Sequence, residues 1–122
     1  MADPKTILHL DDEDDIRELV AAYLSAKGYR VIPASSRVEA LKAMAREQPR
    51  LIICDLQLDE SDGLKAIAEL KEIAPNVPVI LFTGVLFDPS VAAAVTPSRV
   101  AAYVPKTGPL GVLLAEIARL IG

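Results

Sequence analysis

The residues of this chain best equipped for chemistry are two clusters of carboxylates. Asp11-Asp12-Glu13-Asp14-Asp15 follows the apolar stretch Thr6-Ile7-Leu8-His9-Leu10, and Asp55, Asp59, Glu60 and Asp62 follow Leu51-Ile52-Ile53-Cys54. Both clusters start where an apolar run stops. If those runs are adjacent strands, about 4.8 Å apart, Asp11, Asp12 and Asp55 converge. Two carboxylates about 5 Å apart repel by about 3 kcal/mol at an effective dielectric near 20. Such a trio requires shared protons, a nearby lysine or a bound cation. Oxygen donors without His or Cys select a hard ion, and few carboxylates with open water positions suit Mg²⁺ better than a Ca²⁺ cage. Acids at the head of a helix also stabilise its positive end. That accounts for Asp14 and Asp15, whereas Asp11 and Asp12 point to a site.

The elements that must position these groups follow from the hydrophobic pattern. After the first strand, Ile16, Leu19, Val20, Tyr23 and Leu24 recur with helical period, predicting a helix from about Glu13 to Lys27 that Gly28 terminates. Tyr29–Ile32 reads as a second strand, and Ser36-x-x-Glu39 is a capping box opening a helix that ends before Pro49. Leu51–Cys54 is continuously apolar, as a strand buried on both faces should be. A third helix runs from Asp62-Gly63 to Ala74, and a fourth strand from Val77 to Phe82, with Thr83 and Gly84 at its end. Asp88-Pro89 opens a short fourth helix, cut off by Pro97. Val100–Val104 is the fifth strand, followed by Lys106, and a last helix from about Pro109 carries Leu110, Leu113, Leu114, Ile117 and Ile121 on one stripe. Five β-α repeats predict an α/β, doubly wound (βα)5 parallel sheet with helices on both faces. In the flavodoxin-like order 2-1-3-4-5, ligands bind at the carboxyl ends of the first and third strands, where the acids lie.

Composition sets the frame. A chain of 122 residues, 52% of them hydrophobic, predicts one domain over 1–122 with its own core. The single cysteine, Cys54, excludes a disulfide framework and a multi-cysteine metal site and suits a reducing, cytoplasmic setting. Apolar runs reach only about five residues against the roughly 18 of a membrane span, and the N-terminus lacks the pattern of a signal peptide. Net charge −4, no Trp and 4% aromatics argue against a nucleic-acid surface. There is no G-x-G-x-x-G or G-x-x-x-x-G-K-[ST], which disfavours a nucleotide- or flavin-using enzyme.

Thr83 and Lys106 are individually ordinary, since strand-end Thr residues pack and lysines after strands are usually solvated. Together, Leu10-Asp11-Asp12-Glu13, Asp55-Leu56-Gln57-Leu58 through Asp62-Gly63, Phe82-Thr83-Gly84 and Ala102-Tyr103-Val104-Pro105-Lys106 resemble a response-regulator receiver domain of the stand-alone, CheY-like type, over essentially the whole chain. The resemblance implies a phosphorelay receiver in which Asp55 accepts a phosphoryl group from a histidine kinase or phosphotransfer protein. It implies Mg²⁺ held by Asp12, Asp55 and the Gln57 carbonyl, with Asp11 acting mainly through a water. By the same resemblance, Lys106 is expected to hold phosphoryl oxygens, the Thr83 hydroxyl to move to the phosphoryl group, and Tyr103 to turn inward behind it. The implied output is contact with a downstream protein or onward phosphotransfer by a monomer or weak dimer, not turnover of a substrate. A receiver-fold interaction module that works without phosphorylation is the alternative.

Some positions depart from the family pattern. Asp59 stands where proline is common, and residues 95–102 carry Thr96-Pro97-Ser98-Arg99 in place of a small turn. Thr107 follows Lys106 in place of proline, and a non-proline cis bond costs about 3–4 kcal/mol, so the Lys106–Thr107 bond is expected to be trans. His9 is expected to be a half-buried strand residue and Cys54 inert core.

Overall fold

The structure is a computed structural model that describes residues 5–56, 58, 63–84 and 100–122. Strands β1 (Thr6–Leu10), β2 (Arg30–Ala34), β3 (Leu51–Cys54), β4 (Val79–Thr83) and β5 (Ala102–Pro105) form one parallel sheet in the order β2-β1-β3-β4-β5. Helices α1 (Asp14–Ala26), α2 (Arg37–Arg46) and α3 (Gly63–Ile73) precede a C-terminal helix, Leu110–Ile121. The expected fourth helix and Asp59 lie outside the described residues.

Alternation along the strands divides the core in two. Leu8, Leu10, Ile52, Cys54, Val79 and Leu81 meet Ala40, Met44, Ile67 and Leu70 of α2 and α3. On the other face Ile7, Ile53, Ile80, Phe82 and Val104 meet Val20 and Leu24 of α1 and Leu113 and Ile117 of the C-terminal helix. A parallel sheet covered on both faces buries every residue of β1, β3 and β4, so Leu51–Cys54 and Val79–Phe82 read as continuous apolar runs.

Local signals act as the sequence suggests, with differences. Gly28 takes φ +93 and its N–H donates to the Ser25 carbonyl at 3.1 Å, ending α1 in a conformation that favours glycine. The Ser36 hydroxyl caps the Glu39 N–H at 3.2 Å, but the Glu39 carboxylate returns to the Ser35 N–H at 2.8 Å, one residue earlier than a standard capping box. Strand β2 runs on through Pro33 to Ala34, beyond the expected end at Ile32. An edge strand accommodates proline because alternate N–H groups have no ladder partner there. His9 is a correction: it is fully buried, beside Phe82 (ring centroids 6.2 Å), because both faces of β1 are covered. Every described peptide bond is trans, Lys106–Thr107 included.

Candidate phosphoacceptor and metal site

The ladder carries the site residues one step past the strands. Asp11 N–H donates to Ala34 O at 3.0 Å, Asp55 N–H to Leu10 O at 3.0 Å, and Lys106 N–H to Thr83 O at 2.9 Å. Register pairs Leu10 with Cys54, so the next residues, Asp11 and Asp55, emerge side by side. Thr83, fully buried, ends β4 opposite Pro105, and Lys106 follows directly.

Lys106 Nζ joins these ends. It lies 2.7 Å from Asp11 Oδ2, 2.8 Å from Asp55 Oδ2 and 2.8 Å from Glu13 Oε1, with the Lys106 side chain only 7% exposed. Asp11 is fully buried and Asp55 is 4% exposed. Asp11, Asp12, Glu13 and Asp55 each present a carboxylate oxygen, all within 4.8 Å of one another. Four carboxylates around one ammonium leave an excess of negative charge, and an all-oxygen set of this kind fits a hard divalent cation.

Burial alone would raise the Asp11 pKa, but the His9 imidazole 3.6 Å away, the Lys106 ammonium at 2.7 Å and the hydrogen bond from the Glu13 N–H outweigh it and hold the carboxyl below its ordinary 3.8. Burial would likewise lower Lys106, but Asp11, Asp55 and Glu13 raise it well above 10.5. The signs define a plateau. Asp11 contributes stability fully above its unfolded value and loses it as pH falls through the lower folded value. Lys106 contributes fully below its unfolded value and loses it only as pH rises through the higher folded one. In chelator, the contribution of this pair should therefore be flat between 3.8 and 10.5 and decline outside. Urea midpoints across pH check this; a midpoint rising on acidification below about pH 4 would contradict it.

The sequence-derived residues are thus sorted. Asp11, Asp12, Asp55 and Lys106 come together, with Thr83 at the neighbouring strand end. Tyr103, opposite Leu81 on β5, is half-buried and packs against the core on the α2–α3 face. Gln57 lies outside the described residues. Cys54 is buried as expected, its thiol 3.3 Å from the Asp55 carbonyl.

Sequence reasoning missed two participants. Glu13 is the N-cap of α1, and its extended backbone (φ −86, ψ 113) lets the side chain reach Lys106. Its position directly after the acid pair was the available signal. Arg17 donates to the Asp11 carbonyl at 2.6 Å and pairs with Asp14, fixing the turn from β1 into α1. Its spacing of one helical turn from Glu13 hinted at this.

A profile of the response regulator receiver domain family matches residues 7–118. The chain belongs to that family. The receiver domain is 38% identical over 80 residues to the transcriptional regulatory protein GlrR of Escherichia coli, covering 66% of this chain and 18% of that protein. It is 33% identical over 117 residues to the response regulator MprA of Mycobacterium leprae, covering 94% of this chain and 50% of that protein. The receiver thus spans half or less of these curated relatives. Among solved structures it is similar to the Thermotoga maritima response regulator TrrA in complex with Mg²⁺-BeF, with TM-score 0.84, 27% identity, and coverage of 96% of this chain and 99% of that one. It also resembles NtrX of Brucella abortus, with TM-score 0.88, 30% identity, and coverage of 97% of this chain and 27% of that one. The receiver domain is accordingly a phosphorelay module of two-component signalling. No described helix is long and apolar enough to cross a membrane.

Proposed function

We propose that Asp55 is the phosphoacceptor of this receiver and that Mg²⁺ and Lys106 assist the transfer. The observation that carries this reading is the junction of Asp55 and Asp11 through the Lys106 ammonium, at 2.8 and 2.7 Å, within a cluster of four carboxylates. An Asp55 carboxylate oxygen attacks phosphorus, the bond from phosphorus to the donor imidazole nitrogen breaks, and its electron pair leaves with the imidazole. The product is an acyl phosphate on Asp55. Asp12, Asp55 and the Gln57 carbonyl would hold Mg²⁺, with Asp11 supporting it. When bound, the ion supplies charge neutralisation for a transfer that depends on positioning and electrostatics.

Lys106 exchanges one of its carboxylate partners for a phosphoryl oxygen. Thr83, at the adjoining strand end, donates its hydroxyl to the phosphoryl group, and Tyr103, on the same sheet face by alternation, follows into the vacated space. The added charge of about −1.5 to −2 biases this packing switch. The binding of Mg²⁺-BeF by TrrA supports the reading.

The donor is a histidine kinase or phosphotransfer protein, and the output is contact with a protein target or onward phosphotransfer in the cytoplasm. The domain, over 1–122, assists its own phosphorylation and is not a turnover enzyme; it acts as a monomer or weak dimer, without nucleic-acid or membrane contact of its own. Incubation with acetyl phosphate and Mg²⁺ should add one phosphoryl group by intact-mass spectrometry, and Asp55→Asn or chelation should abolish the addition. Label that survives Asp55→Asn would overturn the assignment, and no label on the unmodified protein would favour a phosphorylation-independent interaction module.

A further inference from the structure

Glu13 has no part in the transfer as described, yet it occupies the group that the transfer needs. Its carboxylate Oε1 lies 2.8 Å from Lys106 Nζ, and its side chain is 58% exposed while that of Lys106 is 7% exposed. Its backbone is fixed, the N–H donating to Asp11 Oδ1 at 2.9 Å. Lys106 Nζ donates hydrogen bonds to Glu13 Oε1 and Asp55 Oδ2 at 2.8 Å and lies 2.7 Å from Asp11 Oδ2 as an ion pair. A phosphoryl oxygen reaching Lys106 competes with these three crowded oxygens for the ammonium. Asp55 is the acceptor, and releasing buried Asp11 would strand a desolvated carboxylate. Glu13 alone passes readily into water.

We propose that Glu13 gates entry of the phosphoryl group: it holds a Lys106 donor for which the incoming oxygen competes, and its charge opposes an anionic phosphodonor. The proposal rests on Asp55 being the acceptor. With acetyl phosphate, the bond from Asp55 oxygen to phosphorus forms as the phosphorus–oxygen bond to acetate breaks, and acetate leaves with the electron pair. Glu13 exchanges its hydrogen bond from Lys106 for water and neither gains nor loses a proton.

The initial rate of phosphorylation at saturating Mg²⁺ tests the gate. An exposed ion pair corresponds to a factor of about two to five, so Glu13→Gln and Glu13→Ala should each accelerate labelling by acetyl phosphate by about that factor. Acceleration should be smaller with phosphoramidate, whose protonated nitrogen lowers the donor's negative charge; a purely structural role for Glu13 would not discriminate between donors. Asp15→Asn, which removes a neighbouring exposed charge, should leave the rate unchanged. Rates equal to or below wild type in both Glu13 variants, or acceleration matched by Asp15→Asn, would overturn the gate and leave the acceptor assignment standing. Label that persists in Asp55→Asn, or that fails to appear on any variant, would overturn both.

Discussion

Replacing Lys106 by methionine should lower the stability of the metal-free protein by about 3–5 kcal/mol, the cost of removing one partner from a buried ion pair. Methionine keeps most of the apolar stem and deletes only the ammonium. Asp11, fully buried, and Asp55, 4% exposed, then face each other without the charge that bridges them at 2.7 and 2.8 Å. Urea unfolding in chelator at neutral pH measures the loss, with an unchanged slope showing that the transition remains comparable. Adding Mg²⁺ should restore much of it, since a divalent cation among the same oxygens again offsets their charge. A loss under about 1 kcal/mol would place Lys106 among ordinary surface pairs and remove the electrostatic basis of the site.

Gly63→Ala should be comparably damaging for a steric reason. A Cβ at Gly63 would stand 2.0 Å from the Asp55 carbonyl oxygen, 2.7 Å from the Leu56 carbonyl oxygen and 2.8 Å from Leu56 Cα. These neighbours are backbone and cannot rotate away as a flexible side chain would. The Gly63 N–H also donates to Leu56 O at 2.9 Å, tying the start of α3 to the strand that carries Asp55. Overpacking typically costs about 1–3 kcal/mol, and contact this close predicts the upper end together with displacement of Asp55. Thermal unfolding and the phosphorylation rate should both fall. A variant with wild-type stability and rate would show that the α3 start yields freely and does not position the acceptor.

Much of this was legible in the sequence because the sheet is buried on both faces. Leu51–Cys54 and Val79–Phe82 admit no polar side chain, so their apolar runs mark strands, and the polar residue that ends each run marks the site. What escaped depends on three-dimensional direction. His9 looks half-buried because it interrupts an apolar strand, yet α1 and the C-terminal helix cover that face completely. Pro33 reads as a strand breaker, and only its edge position lets β2 continue through it. Glu13 resembles any first-turn acid until the extended backbone before α1 turns it toward Lys106.

Pro33 has a further consequence. Arg30 N–H donates to Lys5 O and Ala34 O accepts from Asp11 N–H, so residues 30 and 34 of β2 face β1. By alternation Val31 and Pro33 turn their main chains outward, where Val31 offers an N–H and Pro33 none. A strand approaching this margin would find its row of donors interrupted, which works against fibre-like stacking of copies and against capture of an extended peptide. The β2 margin of the sheet is thereby an incomplete template for pairing with a further strand.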